Sequence, residues 1–91
     1  MTHEEVGKWL DLMKSGEFTQ IQGRYIHYIH EYCALGLFRY FVCKGAVDFW
    51  DIAPPKTVCQ LITTLNDTGE IDQYKRVIKD VEEGLESYIT N

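Results

Sequence analysis

The longest near-apolar run, Cys33-Ala34-Leu35-Gly36-Leu37-Phe38-Arg39-Tyr40-Phe41-Val42-Cys43, constrains the fold most. A bilayer-spanning helix needs about 20 apolar residues, so this run is too short, and Arg39 interrupts it. It must be covered by the rest of the protein. At helical spacing Cys33, Leu37, Tyr40 and Phe41 form one face, and Leu35, Phe38 and Val42 broaden it. A helix over 31–44 that is apolar nearly all round belongs at the centre of a domain. Gly36 costs about 1 kcal/mol inside a helix, so a close approach by another backbone is expected there. Gly45 ends this helix.

The flanking segments supply amphipathic cover. Thr2-His3-Glu4-Glu5 reads as a capping box, followed by Val6, Trp9, Leu10 and Met13 at helical spacing and closed by Lys14-Ser15-Gly16. This predicts a helix over 2–14. Ala46 to Ala53 reads as a loop whose Phe49, Trp50 and Ile52 tuck onto the core. Pro54-Pro55 opens a helix over 55–65, with Val58, Leu61, Ile62 and Leu65 as its stripe. Asn66-Asp67-Thr68-Gly69 is a turn signal. A last helix over 72–89 buries Tyr74, Val77, Ile78, Val81, Leu85, Tyr88 and Ile89, and its other face is charged.

The segment 18–32 reads two ways. Tyr25-Ile26-His27-Tyr28-Ile29 is rich in β-favouring residues, and Gln22-Gly23-Arg24 suits a turn, giving a short β-hairpin over 17–29. Ile26, Ile29, Cys33, Leu37 and Tyr40 also share a helical stripe. The expected fold is a helix-dominated α+β domain of about four helices plus that hairpin, with an all-α fold as the alternative.

With 91 residues the chain forms one domain, and a core this small leaves an oligomer as a natural way to bury more surface. Fourteen acidic residues against nine basic ones give a formal charge of −5, which disfavours generic nucleic-acid binding. Three cysteines without a CxxC pair, and an opening without a basic and apolar leader, lead us to expect reduced thiols in a cytoplasmic protein.

Few residues carry chemistry. His27, His30 and Cys33 would share a helical face and suit zinc, but a hairpin parts the two histidines. Without a completing ligand pair, neither metal nor cofactor is expected. Cys33 near a helix start is the best candidate nucleophile, with His30 as base and Asp67 orienting it; a packed, inert cysteine is the commoner outcome. Arg24, Tyr25, His27 and Tyr28 offer rings and a cation to a stacked, anionic ligand. Asn66 or Asp67 offers a polar contact to a ligand's edge.

Ser15-Gly16-Glu17-Phe18-Thr19-Gln20, Tyr32-Cys33-Ala34-Leu35-Gly36-Leu37 and Leu65-Asn66-Asp67-Thr68-Gly69 carry a resemblance. In order and rough spacing they are similar to a group of small phage and bacterial proteins without assigned activity. Those proteins show an SG-[KE]-Y-x-Q segment, a CCLGVL or CALGAL helix start and an ND-x-G turn before a last helix. Phe18 replaces the usual tyrosine and Ala34 the second cysteine, so an obligatory two-cysteine chemistry is not expected. The resemblance implies a phage accessory protein whose polar motif positions Gln20, Cys33, Asn66 and Asp67 share a pocket. By analogy with phage proteins of this size, the expected function is non-enzymatic capture of a small nucleotide-like host-defence signal. The alternatives are inhibition of a host protein through an acidic or aromatic surface, and a cysteine-dependent hydrolase.

Overall fold

A computed structural model describes residues 2–42 and 56–89. Helix α1, His3–Lys14, begins with the capping box: Thr2 Oγ1 accepts from Glu5 N at 3.1 Å, and Glu5 Oε1 accepts from Thr2 N at 2.8 Å. Its inward face carries Val6, Trp9 and Met13, all buried. The central apolar run forms α2, Ala34–Leu37, which continues as a π-helical stretch over Phe38–Val42. Trp9 joins the two helices, donating from Nε1 to Ala34 O at 2.8 Å and meeting Phe38 edge-on at 5.8 Å. The third helix, α3, spans Lys56–Asp67, α4 spans Lys75–Glu83, and a final turn, α5, spans Leu85–Tyr88. Thus the described residues form a helix-dominated α+β fold of five helices and one small sheet. None of its helices is long and apolar enough to cross a membrane.

The sheet differs from the expected hairpin. Strand β1, Thr19–Gln20, pairs in parallel with β2, Glu31–Tyr32, placing Thr19 opposite Glu31 and Gln20 opposite Tyr32. On the other side of β2, Ile26 forms an antiparallel bridge to Tyr32. The Gln22-Gly23-Arg24 turn does not close a hairpin; Gln22 and Gly23 instead bond to the end of α3 and the turn that follows it. Gln22 Nε2 donates to Asn66 O and Gly69 O, each at 3.1 Å, and Gly23 N donates to Asp67 Oδ1 at 3.1 Å. The chain therefore arches outward and reverses later, where Glu31 N donates to Tyr28 O at 3.0 Å.

This arrangement also corrects the start of the central helix. Residues 31 and 32 spend their backbone groups on the sheet, so the helix starts at Ala34 behind an extended N-cap, Cys33. The expected close approach at Gly36 is by Tyr25: a Cβ there would lie 2.1 Å from the Tyr25 carbonyl oxygen. Cys33 N donates to that same oxygen at 3.1 Å. In α3 the buried stripe is Cys59, Ile62 and Asn66, whereas Leu61 is exposed. The long last helix is interrupted at Gly84, whose φ of −111° leaves the helical range. Beyond it Tyr88 packs on Trp9 and donates a short hydrogen bond to the Asp80 carboxylate. The expectations for Lys44, Gly45, the 46–53 loop and Pro54-Pro55 lie outside the described residues.

Candidate functional site

Two buried amides hold the sheet to the helices. Gln20, 1% exposed, donates from Nε2 to Asn66 Oδ1 at 3.1 Å and to Asn66 O at 3.3 Å. Its Oε1 accepts from Tyr74 N at 2.7 Å and from Asp72 N at 3.3 Å. Asn66 Oδ1 also accepts from Ala34 N at 3.1 Å. Its Nδ2 donates to Ile21 O and to Asp67 Oδ1, each at 2.8 Å. A primary amide has two acceptor and two donor positions, so Asn66 has none left for a ligand.

Beside this network lies a partly open cavity of about 240 Å³. Cys33 and Leu35 of the α2 start line one wall, and Ile62, Thr63, Asn66 and Asp67 of α3 line the other. The loop Gly23-Arg24-Tyr25 forms the rim, tied down by the Gly23–Asp67 bond. Gly23 has φ +82°, a conformation that suits glycine.

Three polar groups in the cavity differ in what they can do. Cys33 Sγ accepts from Gly36 N at 3.3 Å, which favours the thiolate, but burial dominates and pushes the thiol pKa up; nearby Asp67 adds to the rise. The helix start therefore does not activate this thiol. Asp67 Oδ1 carries two bonds, while Oδ2 has no hydrogen-bond partner among the described residues. Arg24 is exposed at the rim, and its guanidinium likewise has no partner among the described residues. The Tyr25 ring beside it carries the Arg39 guanidinium 5.3 Å from its centroid.

Arg24, Tyr25, Cys33, Asn66 and Asp67 thus meet at one cavity, with Gln20 bonded behind it. His27, Tyr28 and His30 lie elsewhere. His27 Nδ1 sits 3.3 Å from Glu31 Oε1 and its ring is 4.0 Å from that of Tyr28, which is 65% exposed. His30 is exposed, its ring 6.5 Å from Phe18. No histidine lines the cavity, so the Cys33, His30, Asp67 combination is not assembled. Nor does any group of three or more His, Cys, Asp or Glu among the described residues stand close enough to hold a metal, His27, His30 and Cys33 included.

Sequence reasoning missed Thr63 and the wall residues Leu35 and Ile62. The pairs Ile62/Asn66 and Thr63/Asp67 stand at i, i+4, so helical spacing alone places them on adjoining strips of one α3 face. Gln22 and Gln73 were also missed; the latter accepts from Gln20 N at 3.3 Å and donates to Phe18 O. These bonds span more than fifty positions and leave no local signal. Fold and cavity together define a small helix-dominated α+β protein with a half-open site. No protein family, curated protein or solved structure matches the chain.

Proposed function

We propose that this is a non-enzymatic binding protein that captures a small nucleotide-like ligand in the cavity beside Asn66. The observation that carries the reading is that one carboxylate and one guanidinium, those of Asp67 and Arg24, belong to residues lining the same cavity. Asp67, whose Oδ2 has no hydrogen-bond partner among the described residues, and Arg24 both line a space that Leu35, Ile62, Tyr25, Cys33 and Thr63 also line. Such a cavity suits a planar ring that donates N–H bonds to the carboxylate and carries negative charge toward the arginine. The raised thiol and the absence of a histidine beside it favour holding over turnover. The resemblance to small phage proteins gives this capture its setting: removal of a nucleotide signal of host defence.

Thermal unfolding with a panel of common and cyclic nucleotides tests the reading. Saturation at 100 times Kd stabilises by about 2.7 kcal/mol, which raises Tm by about 10 °C or more in a domain of this size. The ligand should be recovered unchanged after heat denaturation. A shift from no nucleotide overturns the proposal, and recovery of product replaces it with a hydrolase. Ile29 at 78% exposure and Tyr28 at 65% support a second reading, inhibition of a host protein through this aromatic loop. Co-elution with a host protein without any nucleotide shift would favour it.

A further inference from the structure

The cavity of about 240 Å³ is smaller than the roughly 300–1,000 Å³ of typical small-molecule sites. A nucleotide would fill it with its ring and leave the rest outside. A second, more open depression is lined by Ile21, Gln22, Arg24 and His27. Arg24 borders both spaces.

We infer that this outer depression is an anion subsite for the phosphoryl group of the same ligand, so that the protein takes a nucleoside monophosphate astride Arg24 in preference to the nucleoside. The inference rests on the ligand reading above. Its support is local chemistry. In a chain of formal charge −5, the Arg24 cation has no carboxylate partner among the described residues. His27 lines the same depression; its Nδ1 is engaged by Glu31, while Nε2 has no partner among the described residues. Gln22, which also lines the depression, is anchored by Nε2, which donates to Asn66 O and Gly69 O. Of two nearby carboxylates, Glu31 is paired to His27, and Asp67 Oδ1 accepts from Gly23 N and Asn66 Nδ2. Planar guanidinium groups bind phosphoryl oxygens in forked pairs, and such charge-assisted bonds are about twice as strong as neutral ones.

Calorimetric titration of the full chain with common ribonucleosides, their 5′-monophosphates and inorganic phosphate tests it. At least one monophosphate should bind about tenfold or more tightly than its nucleoside, and inorganic phosphate should bind far more weakly than that monophosphate. In Arg24→Gln the ratio of nucleoside to monophosphate Kd should fall to near one. Lys8→Gln, which removes one charge from the exposed face of α1, should leave the ratio as it is. Equal binding of nucleoside and monophosphate overturns the subsite and leaves the ligand reading standing. A ratio that falls equally in both variants also overturns it, because the effect is then one of net charge. Binding of inorganic phosphate as tight as the monophosphate breaks the link to the cavity. If neither nucleosides nor monophosphates bind, the subsite and the ligand reading fall together.

Discussion

At the scale of single residues, Asn66 decides whether the cavity exists. It is 1% exposed, and its side chain ties the end of its own helix to the Gln20-Ile21 segment and to Ala34 at the start of α2, with a further bond to its neighbour Asp67. Removing a partner from a buried donor or acceptor costs about 1–3 kcal/mol for each group left unsatisfied. In Asn66→Ala the Ala34 amide and the Ile21 carbonyl lose their side-chain partner. The expected destabilisation is about 3 kcal/mol, read as a lower urea midpoint at unchanged slope. Gln20→Ala should cost a similar amount. Because the two amides bond each other, the double variant should cost less than the sum of the single ones. Strict additivity would mean that they stabilise separate regions.

At the scale of elements, the contact between α2 and the Tyr25 segment shapes the rim. The Cβ of Gly36→Ala would meet the Tyr25 carbonyl oxygen at 2.1 Å and its carbon at 2.9 Å. Both are backbone atoms, so one element must move. The Cys33–Tyr25 bond and the Ile26–Tyr32 bridge lie directly in the path of that shift. Gly36→Ala should cost about 3 kcal/mol and speed tryptic cleavage at Arg24. Gly7→Ala is the contrast: it sits inside α1 with nothing within 4 Å of an added Cβ. That change should stabilise by about 0.5–1 kcal/mol, and equal effects at both glycines would refute the steric account. These elements also separate what the sequence makes legible from what it hides. Helix α1 is readable because its capping bonds reach three residues and its stripe recurs every turn. The 17–32 segment is opaque because its partners are Asn66, Asp67, Gly69 and Gln73, more than forty positions away. Local β propensity marked the residues but could not supply the parallel register. The cavity was readable only where motif polar residues line it; the reach of Gln22 and Gln73 follows from the fold.

At the scale of the whole molecule, four buried weak acids make stability fall in alkali. Cys33 and Cys59 have thiol pKa values pushed above 9.0, in each case chiefly by burial. Tyr74 and Tyr88 are raised well above 10.0, again mainly by burial, with the Asp80 carboxylate adding to the rise at Tyr88. The neutral forms are needed for structure: Tyr74 Oη donates to Tyr32 O at 2.7 Å, and Tyr88 Oη donates to Asp80. An acid whose folded pKa is raised contributes stability that is complete below its unfolded pKa and lost as pH rises toward the folded one. The loss should therefore begin near pH 9 through the thiols and steepen above about pH 10 through the tyrosines. Each group that ionises only on unfolding removes about 1.4 kcal/mol per pH unit. Urea midpoints from pH 7 to pH 11 should trace that bend, with phenolate absorbance of Tyr74 and Tyr88 appearing together with loss of helical circular dichroism. Tyr88→Phe should start lower in stability, lacking the Asp80 bond, yet decline less steeply above pH 10. A decline as steep as in the parent chain would show that Tyr88 ionises inside the folded protein, and that the packing of α5 on Trp9 does not shield it.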